Sequence, residues 1–166
     1  MSGDREVLEK TAAQALSGEG AHVVGEDVLE GLDWEVAGTR PEGAPYSIFQ
    51  LLNHIIYWQA WAVMWLDGED PPLPEHAAGS WPGDTSPTGL EDWEQATARF
   101  GTLRDELRRR VGEMDLVSLR VSVGSEKSVL GMLQTIGSHD SYHLGQVVLL
   151  RRMLGAWPPP SGGLTW

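Results

Sequence analysis

As a succession of apolar and polar positions, the chain divides into helical stretches of period near 3.6 separated by Pro/Gly-rich gaps. A first stretch runs from about Asp4 to Ser17, and Gly18 and Gly20 end it. A short helical piece over about Glu26 to Leu32 follows, then a Pro/Gly-rich connection from Gly38 to Pro45. Ser47 and Gln50 form an S-x-x-Q capping box opening a second long helix, which the apolar pattern carries to about Leu66. Gly68 to Pro87 holds five prolines and three glycines and predicts a loop. Thr88 with Glu91 predicts another capping box, opening a third long helix that ends near Val111. Between Leu116 and Glu126 the β-leaning alternation Leu119-Arg120-Val121-Ser122-Val123 predicts a short extended connector. A fourth long helix begins near Ser128 and ends at Gly155, with Arg151 and Arg152 in its last turn, where cations suit the carbonyl end of the helix dipole.

Four long helices with polar outer faces predict an all-α fold, a four-helix bundle with long loops after helices 1 and 2 that leave room for crossover connections. At 166 residues the chain suffices for one domain with a sizeable core and is short for two, so residues 1–166 read as a single domain. A hydrophobic content of 41% and a charged content of 22% describe a globular protein rather than a disordered one. The formal charge of −12 and pI near 4.7 argue against nucleic-acid binding, which needs a positive footprint. The one basic cluster, Arg104 with Arg108, Arg109 and Arg110, sits among Asp105, Glu106 and Glu113 and reads as a solvated helix face. The N-terminal segment has no basic region followed by an apolar run, so no signal peptide is expected. Ile55 to Leu66, broken by Gln59, is too short to span a bilayer. A cytoplasmic protein with neither nucleic-acid nor membrane partners is the expectation.

The chemistry lies on the apolar stripe of the fourth helix. His139 and His143 stand four residues apart, so both imidazoles can point at one ion. Such a pair alone is weak evidence: among five histidines it arises by chance in roughly one chain in eight. Position strengthens it. Advancing by 100° per residue, Met132, Ile136, His139, His143, Val147, Leu150 and Leu154 fall within roughly 80° of arc, so the two histidines replace apolar residues in the middle of a core-facing stripe. On the second helix His54 shares a similar face with Ser47, Leu51, Trp58, Trp61 and Trp65. Two inward histidine positions on two helices of one small bundle suggest a three-imidazole site with coordination positions left open. With no cysteine, a metal could be held only by imidazole and carboxylate. Core filling explains most of the tryptophan stripe, with one indole, Trp58 or Trp61, walling an apolar pocket beside the ion. Asp140 points about 100° away from its neighbour His139 and reads as a support for the ligands or a surface group. Gln146 is placed either to bond the His143 ring or a bound water, or to face solvent. His76 falls in the proline-rich loop and reads as exposed; His22 could line a pocket.

These residues carry a family resemblance. Tyr46-Ser47-Ile48-Phe49-Gln50-Leu51-Leu52-Asn53-His54 resembles the second-helix motif of DinB/YfiT-like proteins. His139-Asp140-Ser141-Tyr142-His143-Leu144-Gly145-Gln146 is similar to the H-x-x-Y-H-x-G-Q signature of their last helix, and Arg151-Arg152-Met153-Leu154-Gly155-Ala156-Trp157-Pro158-Pro159 resembles their usual ending. The resemblance implies a four-helix bundle holding a divalent metal through His54, His139 and His143, often as a homodimer. Relatives such as mycothiol-dependent maleylpyruvate isomerase and the bacillithiol transferases use the metal to activate a low-molecular-weight thiol.

The leading expectation is therefore a metal-dependent transferase acting on a small thiol and a small organic electrophile, with the sulfur supplied by the co-substrate. A hydrolase using the same centre is the nearest variant. A non-catalytic metal- or ligand-binding stress-response protein is the rival from another class, distinguished by whether an open position lies beside an apolar pocket. All-imidazole ligation suits zinc or nickel first, with iron admissible. No catalytic residue is assigned; Asp140 and Glu26 are the carboxylates considered as general bases.

Overall fold

The four long stripes become four long helices in the computed structural model, which describes residues 2–122 and 125–163. In chain order the elements are α1 (Ser2–Ser17), the single-turn helices α2 (Gly25–Leu29) and α3 (Trp34–Gly38), α4 (Ile48–Leu66), a 3-10 turn (Ala77–Ser80), α5 (Leu90–Glu113), the strands β1 (Leu119–Ser122) and β2 (Ser125–Ser128), and α6 (Val129–Met153). Helix α4 packs against α5 and α6, and α1 packs against α6 and α5. The short helices close the edges, α2 on α6 and α3 on α4. Among the described residues no helix is long and apolar enough to cross a membrane.

Most of the chain is helical, but the all-α expectation needs one correction. The connector before α6 folds back as an antiparallel pair, Leu119 opposite Ser128 and Ser122 opposite Ser125. The partner strand, Ser125–Ser128, carries no apolar alternation, so nothing in its pattern marks it as a strand. Val123, part of the predicted connector, lies outside the described residues.

Local chemistry explains where boundaries fall. The Ser47–Gln50 box forms in full: Gln50 N–H donates to Ser47 Oγ at 3.1 Å, and Ser47 N–H donates to Gln50 Oε1 at 3.1 Å. The helical run expected to Leu32 stops at Leu29, since Gly31 takes a left-handed φ of 70°. Asp33 then starts the new turn α3, its carboxylate accepting from Val36 N–H at 2.7 Å. The Thr88–Glu91 box does not form. Gly89 is the N-cap of α5, and Asp92 accepts from Thr88 N–H at 2.8 Å and from its hydroxyl at 3.2 Å. The basic cluster is only partly a solvated face. Arg108 and Arg109 are at the surface, but Arg104 and Arg110 are 3% and 6% exposed. Their alkyl stems can pack inward because each guanidinium finds a carboxylate: Glu26 at 3.0 Å for Arg104, Asp67 at 2.6 Å for Arg110.

The core consists of two apolar clusters. One joins Ile48, Leu51, Leu52 and Ile55 of α4 to Phe100 of α5 and to Leu144, Val147 and Leu150 of α6. The other joins Trp61, Trp65 and Leu66 of α4 to Leu107 and Val111 of α5 and to Met132, Leu133 and Ile136 of α6. Early α4 thus meets late α6, and the converse, as antiparallel neighbours must. Between the clusters lies a seam, residues 54–59 of α4 against 139–143 of α6. Every candidate metal ligand falls in it.

Candidate metal centre

Helix α4 delivers His54 and α6 delivers His139 and His143, one turn apart. The three rings converge, with ring centroids 4.5 to 5.1 Å apart and one nitrogen from each within 4.8 Å of the others. What brings α6 into place is partly an absence of side chain. A Cβ on Gly137 would lie 2.2 Å from the Ala15 carbonyl oxygen of α1, so only glycine permits this helix–helix approach.

Bonds behind two of the rings fix which nitrogen faces inward. His54 Nδ1–H donates to the Ser80 carbonyl at 3.1 Å, leaving Nε2 as a bare acceptor. His143 Nδ1–H donates to Gln146 Oε1 at 2.8 Å, with the same consequence. The loop that carries Ser80 is tied down just beyond it by the capping box that starts α4: Ser47 Oγ also donates to Thr85 O at 2.5 Å, and Gln50 Nε2 to Pro82 O at 3.4 Å. The proline-rich loop is thereby tied over the site. From it Trp81 stacks on His54 with centroids 3.9 Å apart, and Tyr46 stacks on the other face of Trp81 at 3.7 Å.

Burial sets the charge state. The His54 ring, 6% exposed, has its pKa pushed down to about 4. Desolvation is the main cause, opposed by the bond to Ser80 and reinforced by His143 and His139. His143 is also lowered, again chiefly by desolvation, with Gln146 opposing. Both rings are neutral near pH 7, as metal ligation requires.

Would a divalent ion fit? His54 Nε2 and His139 Nε2 lie 3.2 Å apart. Two nitrogens each bonded at about 2.0–2.1 Å to one tetrahedral ion stand about 3.3 Å apart, so the pair fits without rearrangement. The opposite nitrogen of His139, Nδ1, is buried with no hydrogen-bond partner, and so is Asp140 Oδ1, 3.5 Å away. The three histidines could hold a metal ion.

The remaining sequence candidates fall into clear places. Asp140 is not a surface group. It is 2% exposed beside the histidine cluster, its Oδ2 accepting from Gln59 Nε2 at 2.6 Å. Gln146 bonds the His143 ring rather than facing solvent. Trp58, Trp61 and Trp65 all wall one cavity of about 230 Å³, with Leu73, Met132 and Ile136, and it opens onto the His139 ring. The stripe is thus core and pocket at once: Trp61 and Trp65 are buried, and the Trp61 indole N–H is bonded to the Pro71 carbonyl at 3.1 Å. His76 is exposed. His22 lies elsewhere, bonded to Ser141 Oγ at 2.8 Å. Glu26 is also remote, ion-paired with Arg104 and Arg108; burial would raise its pKa, but the two guanidiniums hold it below the usual carboxylate value. Gln59, Ser80 and Trp81 are the contributors sequence reasoning missed. Only Gln59 left a trace, as the polar break in an apolar run.

The family model of the DinB superfamily matches residues 25–147, about three quarters of the chain, a span that includes all three histidines. No curated protein and no solved structure matches the chain.

Proposed function

The chain belongs to the DinB superfamily, and from that premise we propose a divalent-metal-dependent enzyme that transfers a low-molecular-weight thiol to a small organic electrophile. The observation that carries the reading is the meeting of the three imidazoles with a tryptophan-walled cavity at the His139 ring. A closed structural site would have four protein ligands and no such space. His54, His139 and His143 would hold the ion, zinc or nickel by preference and iron third, and it would supply the positive charge that lowers the proton affinity of a thiol or a water.

The chain's own residues do the rest. Ser80 and Gln146 keep the inward nitrogens of His54 and His143 unprotonated, and the indoles shed water around the organic part of the substrate. The sulfur must come from the co-substrate, as the chain has no cysteine. The four long helices are read as the bundle of this family. A homodimer is part of the proposal, supported by Tyr142, Leu149 and Met153, apolar and exposed on one face of α6. Sedimentation at twice the 18.2 kDa chain mass is the expected result.

The test pairs elemental analysis of tag-free protein with turnover of a thiol and monochlorobimane. One ion per chain and a rate above that of a His54→Ala, His143→Ala double variant are expected. A stoichiometric ion without any turnover would instead mark a metal-binding protein that is not an enzyme. Ester cleavage without thiol dependence would make the same centre a hydrolase.

A further inference from the structure

The tryptophan-walled cavity is apolar along its shaft and carries one cation at its mouth. Leu73 and Thr135 are exposed there, and Lys127 on β2 reaches across to α6, donating from Nζ to Thr135 Oγ1 at 3.0 Å. Thr135 passes its own proton to the Gly131 carbonyl at 2.7 Å, so its hydroxyl is fixed as an acceptor. The ammonium has three protons and gives one to threonine. Lys127 makes no ion pair among the described residues. Among the described residues no carboxylate lines the cavity. Asp70 takes the hydroxyl of Ser122, another residue of the cavity lining. The ammonium at the cavity mouth thus keeps donor capacity for an anion, in a chain of net charge −12.

The register of α6 sets the scale. Thr135 and His139 are four residues apart on one helix, a rise of about 6 Å. A ligand whose one end meets Lys127 therefore places its other end beside His139 after roughly the length of one aromatic ring. We propose that the cavity takes a small carboxylic acid with a flat or compact apolar body, its anionic group at Lys127 and its reacting atom about one ring's length away at the histidines. This rests on the cavity being the substrate site of the function proposed above. The anion stays near water at the mouth, so the ion pair forms without full desolvation, and the body displaces water from indole surface.

The test compares 4-chlorobenzoate with neutral 4-chlorobenzamide, titrated by calorimetry at low ionic strength. The wild-type protein should prefer the carboxylate by about fivefold. Lys127→Gln should bring the ratio to about one with little effect on the amide, and Lys127→Arg should retain the preference. Equal binding of the two probes by the wild type, failure of both to bind, or a preference that survives Lys127→Gln overturns the inference. The same titrations on His54→Ala separate this from the metal reading. A preference that follows Lys127 in that variant sustains the anion site even if no ion is ever found. A preference lost in His54→Ala but kept in Lys127→Gln puts the carboxylate on the metal centre and removes Lys127 from recognition.

Discussion

Taking the metal-free protein from pH 7.5 to pH 5 should cost about 2 kcal/mol of stability through His54 alone. Its ring lies between Trp81 and two other imidazoles, and burial there brings its pKa from 6.5 down to about 4. In the unfolded chain the same ring titrates near 6.5. Between those values the unfolded state binds a proton that the folded state refuses, so acid favours unfolding. The stability is fully present above pH 6.5, declines as the pH falls through the window, and levels off below about 4. At about 1.36 kcal/mol per pKa unit the ceiling is roughly 3 kcal/mol, of which about two thirds is gone by pH 5. His143, shifted in the same direction, steepens the decline. The assay is urea unfolding of chelator-treated protein at the two pH values, wild type beside His54→Gln. The variant should lose markedly less stability over the interval; an equal loss would refute the assignment. A direct control is the NMR titration of the His54 Cε1 proton, where a midpoint near 6.5 would contradict the buried, neutral ring.

Three further outcomes test the supports around the site. Asp140→Asn should weaken zinc binding by roughly 10–100-fold in competition with a chromophoric chelator, as expected for a carboxylate behind a ligating histidine; unchanged affinity would remove Asp140 from the site. Gly137→Ala should lower the stability measured by urea midpoint by about 1–3 kcal/mol, because its Cβ meets fixed backbone of α1. A neutral effect would mean that α1 and α6 are not in this close contact. Ser47→Ala should cost about 1 kcal/mol and expose the 68–87 loop to limited proteolysis, since the same hydroxyl caps α4 and holds Thr85. Stability loss without faster cleavage would show that the loop is held by other contacts.

How much of this could be read from the sequence depends on the range of each signal. His54, His139 and His143 announced themselves because a helical period places side chains on faces, and their faces were otherwise apolar. Asp140 was harder. The period puts it about 100° from His139, but whether that direction meets solvent or another helix depends on how α4 crosses α6, and Gln59 waits there. Ser80 and Trp81 belong to a loop without any period, and that loop is tied to Ser47 and Gln50 through its Thr85 and Pro82 carbonyls. Arg104 and Arg110 looked solvated because Glu26 and Asp67, which meet them from other parts of the fold, are distant in sequence; only Glu106, the second partner of Arg110, is local. Lys127 gained meaning only when a strand with no strand-like pattern brought it to a cavity mouth.

The proton count around His139 is the strongest physical argument that a cation belongs at the seam. His54 and His143 each spend their single ring proton on a fixed acceptor, so their Nε2 lone pairs point inward. For a neutral His139, neither tautomer is comfortable. With the proton on Nε2 it can donate to His54 Nε2 at 3.2 Å, but the Nδ1 lone pair then faces the buried oxygen of Asp140 at 3.5 Å. With the proton on Nδ1, that contact becomes favourable and two Nε2 lone pairs oppose each other. A positive ion among the Nε2 atoms resolves both conflicts, since it binds the lone pairs and requires the proton on Nδ1, facing Asp140. Two of the four buried side-chain atoms without partners among the described residues, Nδ1 of His139 and Oδ1 of Asp140, are thus atoms that ion binding would bring together. Nitrogen-15 NMR can follow this directly. Adding zinc should leave His54 and His143 as Nδ1–H tautomers and turn His139 into one; a His139 that keeps its proton on Nε2 with zinc present cannot be a ligand through that atom, and the three-histidine centre would fall with it.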